Sequence, residues 1–347
     1  MKSLKKINWI ISLLLIASIS FVSCTKEGPA GLPGLDGKDG EDGINGLDGT
    51  ATCAACHDNS QVNIALTRHW ELSQHAMGKN YLRNQDNCAG CHTSQGFREI
   101  ILTGADNTAA AIKNPNPPNC YTCHNIHTDY SVSDWSLATT APITLRISGD
   151  VVDLGKGNLC GTCHQPQNPG PMPVVGGSDV TATNMYWGPH YGAQAVIVSG
   201  KGGYEVGSGY TNSAHVSMIE NTCITCHLVD NSGENAGGHM MNLSYGNPEN
   251  PSILTTACTS CHTNQETLNT LIANVKTEIK GLLAELNSKL KEKGIMDDGN
   301  HIIPGTYSAD QAGAFVNHSL VHYDQSFGIH NYPYTKKLLE NSITALN

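Results

Sequence analysis

Six copies of one five-residue pattern mark this 347-residue chain. They are Cys53-Ala54-Ala55-Cys56-His57, Cys88-Ala89-Gly90-Cys91-His92, Cys120-Tyr121-Thr122-Cys123-His124, Cys160-Gly161-Thr162-Cys163-His164, Cys223-Ile224-Thr225-Cys226-His227 and Cys258-Thr259-Ser260-Cys261-His262. Two thiols at this spacing can add across the two vinyl groups on one edge of a porphyrin. The adjacent His then reaches under the ring and ligates the iron, so the pattern reads as c-type haem attachment. Zinc also uses CxxC pairs, and an exported chain can form disulfides. Neither requires His directly after the second Cys. His is only 16 of the 347 residues, yet it fills that position six times out of six. The expected cofactors are therefore six haem c groups, with His57, His92, His124, His164, His227 and His262 as proximal iron ligands.

Ten His remain: His69, His75, His127, His190, His215, His239, His301, His318, His322 and His330. A haem closed by two His tends to carry electrons, whereas one with an open distal side can bind substrate. Ten is enough to close all six. Met can also ligate haem iron, and Met77, Met240 and Met241 sit beside some of these His. His318 and His322 lie four apart on one helix face and could bind a metal or back up a neighbouring ligand.

From about residue 52 to 347 the chain resembles the exported multihaem cytochromes c, the broad group of cytochrome c-552/c-554 and doubled-CxxCH proteins. Several phrases look like that group's distal-ligand segments. They are Trp70-Glu71-Leu72-Ser73-Gln74-His75-Ala76, Cys123-His124-Asn125-Ile126-His127, Gly188-Pro189-His190, Ser213-Ala214-His215, Gly237-Gly238-His239 and Gly328-Ile329-His330-Asn331. The resemblance implies His75, His127, His190, His215, His239 and His330 as distal ligands, one for each haem. It does not say which distal His serves which haem.

The elements that must position these groups follow from composition and periodicity. Six large flat cofactors can supply much of an apolar core, which fits only four Phe and four Trp. The expected fold is mostly α with extensive loops and few strands, a haem-cored multihaem cytochrome c whose motifs ride on short helices. The apo chain should hardly fold. After the sixth motif, Thr263 to Glu266 looks like a capping box. Leu268, Leu271, Ile272, Val275, Ile279, Leu282, Leu283, Leu286 and Leu290 then recur at helical spacing, with Gly294 as a stop. This predicts a long amphipathic helix over 264–293, packed on haems or a neighbouring helix, or paired as a coiled coil between protomers. Ser308 to Gln311 offers another capping box, for a helix over 309–323. Pro333 opens a last helix over 333–346, with Leu338, Leu339, Ile343 and Leu346 as its buried stripe.

The N-terminus reads as an address. Lys2, Lys5 and Lys6 precede the apolar run Ile7 to Val22, which is short for a spanning helix and typical of a signal peptide. The ending Phe21-Val22-Ser23-Cys24 resembles a bacterial lipoprotein signal, although Phe21 departs from the usual Leu. Thirteen Cys are six pairs plus one, and the odd one is Cys24, the expected lipidation site. An uncleaved membrane anchor is the alternative. From Gly28 to Gly49, Gly falls at every third position, as a collagen triple helix demands. Over 28–49 this predicts either a stalk that makes the chain a homotrimer or a disordered spacer. The expected organisation is a signal peptide over 1–23, a lipidated Cys and Gly-X-Y stalk over 24–50, and a hexahaem domain over 51–347. The location is the bacterial cell envelope, lipid-anchored at the outer membrane on its periplasmic or outer face.

A net charge of −10 argues against nucleic-acid binding and suits docking on a basic redox partner. The expected function is an electron relay between envelope redox proteins or an extracellular acceptor. In that role no residue is catalytic in the covalent sense. The alternative is an oxidoreductase acting on nitrite, hydroxylamine or tetrathionate at one open haem. The ammonia-forming nitrite reductases carry a CxxCK motif, absent here, although they too have a long helix after the last motif. The octahaem enzymes need two more attachment motifs. A haem-bearing filament is a third reading, which a lipid tether fits poorly.

Overall fold

Short helices and loops make up the motif region, and three longer helices close the chain. The computed structural model describes residue 57 and residues 60–167, 170–230, 236–247 and 251–347, all within one compact unit, Gly49–Asn347. The signal peptide, Cys24, the Gly-X-Y segment, Cys53 and Cys56 lie outside the described residues. The helices are α1 (Gln61–Glu71), α2 (Gln74–Met77), α3 (Asp86–His92), α4 (Ser94–Thr103), α5 (Cys120–Cys123), α6 (Asn158–Gly161), α7 (Gln194–Ser199), α8 (Ala214–Met218), α9 (Thr222–His227), α10 (Gln265–Glu292), α11 (Ala309–Asp324) and α12 (Tyr332–Ala345). The described strands form three antiparallel pairs. β1 (Ile143–Thr144) pairs with β2 (Val151–Val152), β3 (Val180–Ala182) with β6 (Gly305–Tyr307), and β4 (Ser244–Tyr245) with β5 (Ser252–Ile253). The fold is thus mostly α with extensive loops and few strands, as the composition predicts. No described helix is long and apolar enough to cross a membrane.

The C-terminal helices fall close to their predicted spans, and their ends are chemically specified. Asn264 caps α10, its side chain accepting from the Thr267 N–H at 2.8 Å. The cap is therefore one residue later than the box expected at Thr263. Gly294, at φ +67°, ends the helix where a side chain would be strained. Ser308 and Gln311 form a reciprocal capping box at the start of α11. Pro333 sits in the first turn of α12, where its missing N–H has no helical acceptor to lose.

Within α10 the apolar stripe is only half used. Leu268, Ile279, Leu283, Leu286 and Leu290 are buried, while Leu271 is 46% exposed and Ile272 and Val275 are half-buried. The C-terminal half of α10 packs on α11 and α12, which pack on each other. The structure thus shows a helix-on-helix packing in one chain, the plainer of the two roles expected for α10.

That packing builds a conventional apolar core. It joins Leu145, Ile197, Leu286, Leu290, Ile302, Leu320, Leu338 and Leu339, each fully buried. Burying one such side chain is worth about 1.5–3 kcal/mol. The clustered core draws only on residues from Ile143 onward. Ahead of it, buried apolar groups are few: Ala89, Phe97 and Ile100. Among the described residues, protein side chains therefore supply a core for the segments around 143–197 and 279–346, and the thin core expected of the whole chain describes the segment ahead of Ile143 and the stretch between Ile197 and Ile279 that carries motifs five and six.

Gly313 shows how tight this packing is. It lies inside α11, and a Cβ there would overlap the ring of Tyr204. That ring is fixed by its O–H donating to Asp310 at 2.6 Å and by Asn317, which accepts from the Tyr204 N–H at 2.8 Å. Helix propensity alone would favour Ala over Gly by about 1 kcal/mol, but overpacking costs about 1–3 kcal/mol. Gly313→Ala should therefore lower the denaturation midpoint in urea. A raised midpoint would mean that Tyr204 can move aside.

Candidate haem sites

Motifs two to six are each presented by a short, locally specified element. Cys88–His92 occupy α3, with α4 beginning two residues later. Thr93 caps α4, accepting from the Gly96 N–H at 2.9 Å. Gly96 must be Gly because a Cβ there would meet the Ala89 carbonyl. The third motif is opened by a capping box between Asn119 and Thr122, and the Thr122 O–H reaches Ser94 at 2.8 Å, joining α5 to α4. The fourth follows a turn organised by Asn158, fully buried, which donates to Asp153 at 2.8 Å and Thr140 at 3.0 Å and accepts from the Leu154 N–H at 2.8 Å. The fifth motif is in α9, and the sixth begins in a 3-10 turn, Thr256–Cys258. No disulfide joins any two of the ten described motif Cys.

The six motif histidines are each set opposite a second His. Ring centroids are 6.1 Å apart for His57 and His127, 6.3 Å for His92 and His190, and 6.3 Å for His124 and His239. They are 6.0 Å apart for His164 and His75, 6.3 Å for His227 and His330, and 6.3 Å for His262 and His215. Every pair joins segments remote in sequence. A metal–imidazole nitrogen bond is about 2.0–2.1 Å. Allowing about 1.1 Å from nitrogen to ring centre, two imidazoles on opposite sides of one metal would have centroids about 6.3 Å apart. The observed spacings of 6.0–6.3 Å match that value.

Hydrogen bonds at the other ring nitrogen fit the same chemistry. His124 Nδ1 faces the Trp135 carbonyl at 2.7 Å, and His227 Nδ1 the Met241 carbonyl at 2.7 Å. His215 Nδ1 faces the Ile329 carbonyl at 3.2 Å, and His164 Nδ1 faces Gln194 Oε1 at 3.2 Å. His330 Nδ1 faces Asp324 Oδ1 at 2.6 Å. Each partner is an acceptor, which assigns the proton to Nδ1 and leaves Nε2 as the free ligand atom. Burial lowers the basicity of six of these rings. It pushes His75 down to about 4, with help from His164, and lowers His92, His164, His190, His227 and His239 below the usual histidine value. The neutral imidazole so favoured is the form that binds metal. His330 departs from this pattern. Burial would lower it, but the charge and hydrogen bond of Asp324 outweigh burial and raise it.

The motifs also meet one another. The thiols of Cys91 and Cys163 are near enough to perturb each other, as are those of Cys160 and Cys223. Cys163 Sγ lies 3.9 Å from the Gly90 carbonyl, and Cys223 Sγ lies 3.9 Å from that of Gly157. Cys226 senses the charge of Cys258. The second, fourth, fifth and sixth attachment points therefore follow one another in space.

The leftover groups have other surroundings. His318 is buried, bonds Asn287 at 3.1 Å and stacks 5.9 Å from His322. No cluster of three or more metal-ligating side chains occurs among the described residues. His301 lies beside Asp297 and Tyr186. Met77 is exposed, and Met241 serves through its backbone carbonyl. Sequence reasoning missed Asp324, Gln194 and Trp135, which orient the rings. None of them carries a motif.

No sequence family and no curated protein matches the chain. A structural match is to the outer cell wall cytochrome OcwA, known from a crystal structure, with a TM-score of 0.51 and 22% identity. The match covers 80% of this chain and 50% of that one, so the chain spans about half the length of its neighbour. The described fold is cytochrome-like.

Asp153 gives the turn before the fourth motif a pH dependence. Its carboxylate is held below the usual 3.8, first by the Asn158 side chain and then by the Gly155 N–H. A lowered folded value means support that is present above 3.8 and is lost as the pH falls through the lowered value. Amide exchange over 154–158 should accelerate beyond its intrinsic change as the pH falls below 3.8, and Asp153→Asn should flatten that dependence. An unchanged profile in the variant would remove Asp153 from this role.

Proposed function

We propose that the chain is a membrane-tethered hexahaem c-type cytochrome that relays electrons between cell-envelope or extracellular redox partners. The observation that carries this reading is the set of six histidine pairs, each with one motif His and one remote His. Haem iron bound at such sites supplies one-electron redox chemistry. The chain's residues do the holding and the insulating. Each Cys pair would hold one haem covalently, and the two rings of each histidine pair would ligate its iron. Protons on Nδ1 are held by carbonyl, amide or carboxylate acceptors, so the ligating atoms stay oriented.

With all six pairs formed, no axial position is left for nitrite, hydroxylamine or tetrathionate. The pairing therefore favours the relay over the open-haem oxidoreductase. The contacts among motifs two, four, five and six support a continuous path. Export is supported by the outer cell wall location of the structural neighbour and by the leader-like N-terminus. In this reading Cys24 carries the lipid, and the Gly-X-Y run over 28–49 lifts the cytochrome from the membrane, with trimerisation as its further consequence. The net charge of −10 suits transient docking on a basic partner, an interaction that should weaken in salt.

Carbon monoxide tests the central point. A pyridine haemochrome count should give six c-type haems per chain, and CO should leave the Soret and alpha bands of the reduced protein unchanged. His190→Ala, which leaves His92 alone, should let CO shift about one sixth of the signal. CO binding by the unaltered protein would instead point to an open site and revive the oxidoreductase reading.

A further inference from the structure

Asp324 is the only carboxylate bonded to a paired motif or distal His among the described residues. It sits at the last position of α11, where helix carbonyls already concentrate negative potential. Its side chain is 1% exposed, and its one described ion pair is with His330. A carboxylate buried at a helix C-terminus without Lys or Arg is costly on both counts. Neither propensity nor packing accounts for it. Its contacts do. Oδ1 faces His330 Nδ1 at 2.6 Å, while Oδ2 accepts from the Ser326 N–H at 3.2 Å and from the Ser326 hydroxyl. Ser326 Oγ accepts in turn from the His330 N–H at 3.2 Å. The other four Nδ1 acceptors named above are neutral.

We infer that Asp324 is a positioning residue that gives His330 imidazolate character and makes the site of the fifth motif the lowest in reduction potential of the six. The inference rests on the haem-ligation reading above. A buried negative charge behind a ligand makes that ligand more basic and favours the ferric over the ferrous ion. The affected site is internal to the relay, since motif five meets the turn that leads into motif four, with Cys223 Sγ 3.9 Å from the Gly157 carbonyl, and packs beside the turn that opens motif six. Asp324 thereby sets an electrostatic step between the two arms of the path. Helix α11 also reaches the neighbouring site. Gln194, which holds His164, donates to the carbonyls of Tyr323 at 3.0 Å and Asp324 at 3.3 Å.

The test uses the full haem-loaded protein, with spectroelectrochemical titration and EPR. Asp324→Asn should raise the lowest of the six potentials by at least about tenfold in electron affinity, near 59 mV for one electron. One low-spin EPR signal should change its g values, and Asp324→Glu should restore much of both. Ser326→Ala should move the same site the opposite way, because Asp324 loses a donor that draws charge from it. A purely structural role would not produce opposite shifts. If the haemochrome count is six, all low-spin, and both variants leave the lowest potential in place, the inference fails while the relay stands. A wild-type count below six, or a high-spin site at motif five, overturns both.

Discussion

A metal held between two imidazoles fixes the distance and the direction of both rings, and in the proposed cytochrome this constraint would organise the region around the six motifs. Six such pairs, each near 6 Å between ring centres, impose six long-range restraints on a segment with little apolar core of its own. The backbone between them forms only short helices, which fits the proposal, since covalent attachment and ligation would replace the burial that longer helices otherwise provide. Loop entropy opposes such a fold, and cross-links between remote segments offset it. The pairs of motifs two and four interlock in this way. His75, ahead of motif two, faces His164 of motif four, and His190, after motif four, faces His92 of motif two.

The C-terminal helices have a different physical basis. Their core is ordinary side-chain packing with specified caps, and α11 runs through its centre with twelve of its sixteen residues buried. The two regimes meet at the end of α11. Its last turn joins the apolar core to the rings of His164 and His330 through Gln194 and Asp324. A rigid, protein-cored support thus adjoins the part of the molecule that depends on cofactors, and it reaches two neighbouring sites at once.

This division bears on how a relay is tuned. Five histidines with described Nδ1 partners share one geometry but not one electrostatic environment. Four face neutral acceptors and one faces a buried carboxylate. Identical ligand sets can then differ in potential through the atoms behind them. Such differences separate a chain of equivalent sites from one with a preferred direction.

The sequence by itself marked out the six candidate attachment sites, because Cys-x-x-Cys-His is a local pattern whose spacing suits a porphyrin edge. It also determined the three C-terminal helices, whose caps and apolar period are local properties of Ser308, Gln311, Gly294 and Pro333. It singled out His75, His127, His190, His215, His239 and His330 only through resemblance. Only the tertiary structure decided which of these faces which motif, since each pair spans segments whose separation carries no periodic signal. The tertiary structure likewise decided that Leu271 is exposed within an otherwise regular stripe, because burial depends on where α11 and α12 end. Asp324 was invisible in the sequence for the same reason: one carboxylate among thirty acidic residues acquires its meaning only when the chain turns after α11 and brings His330 back against it.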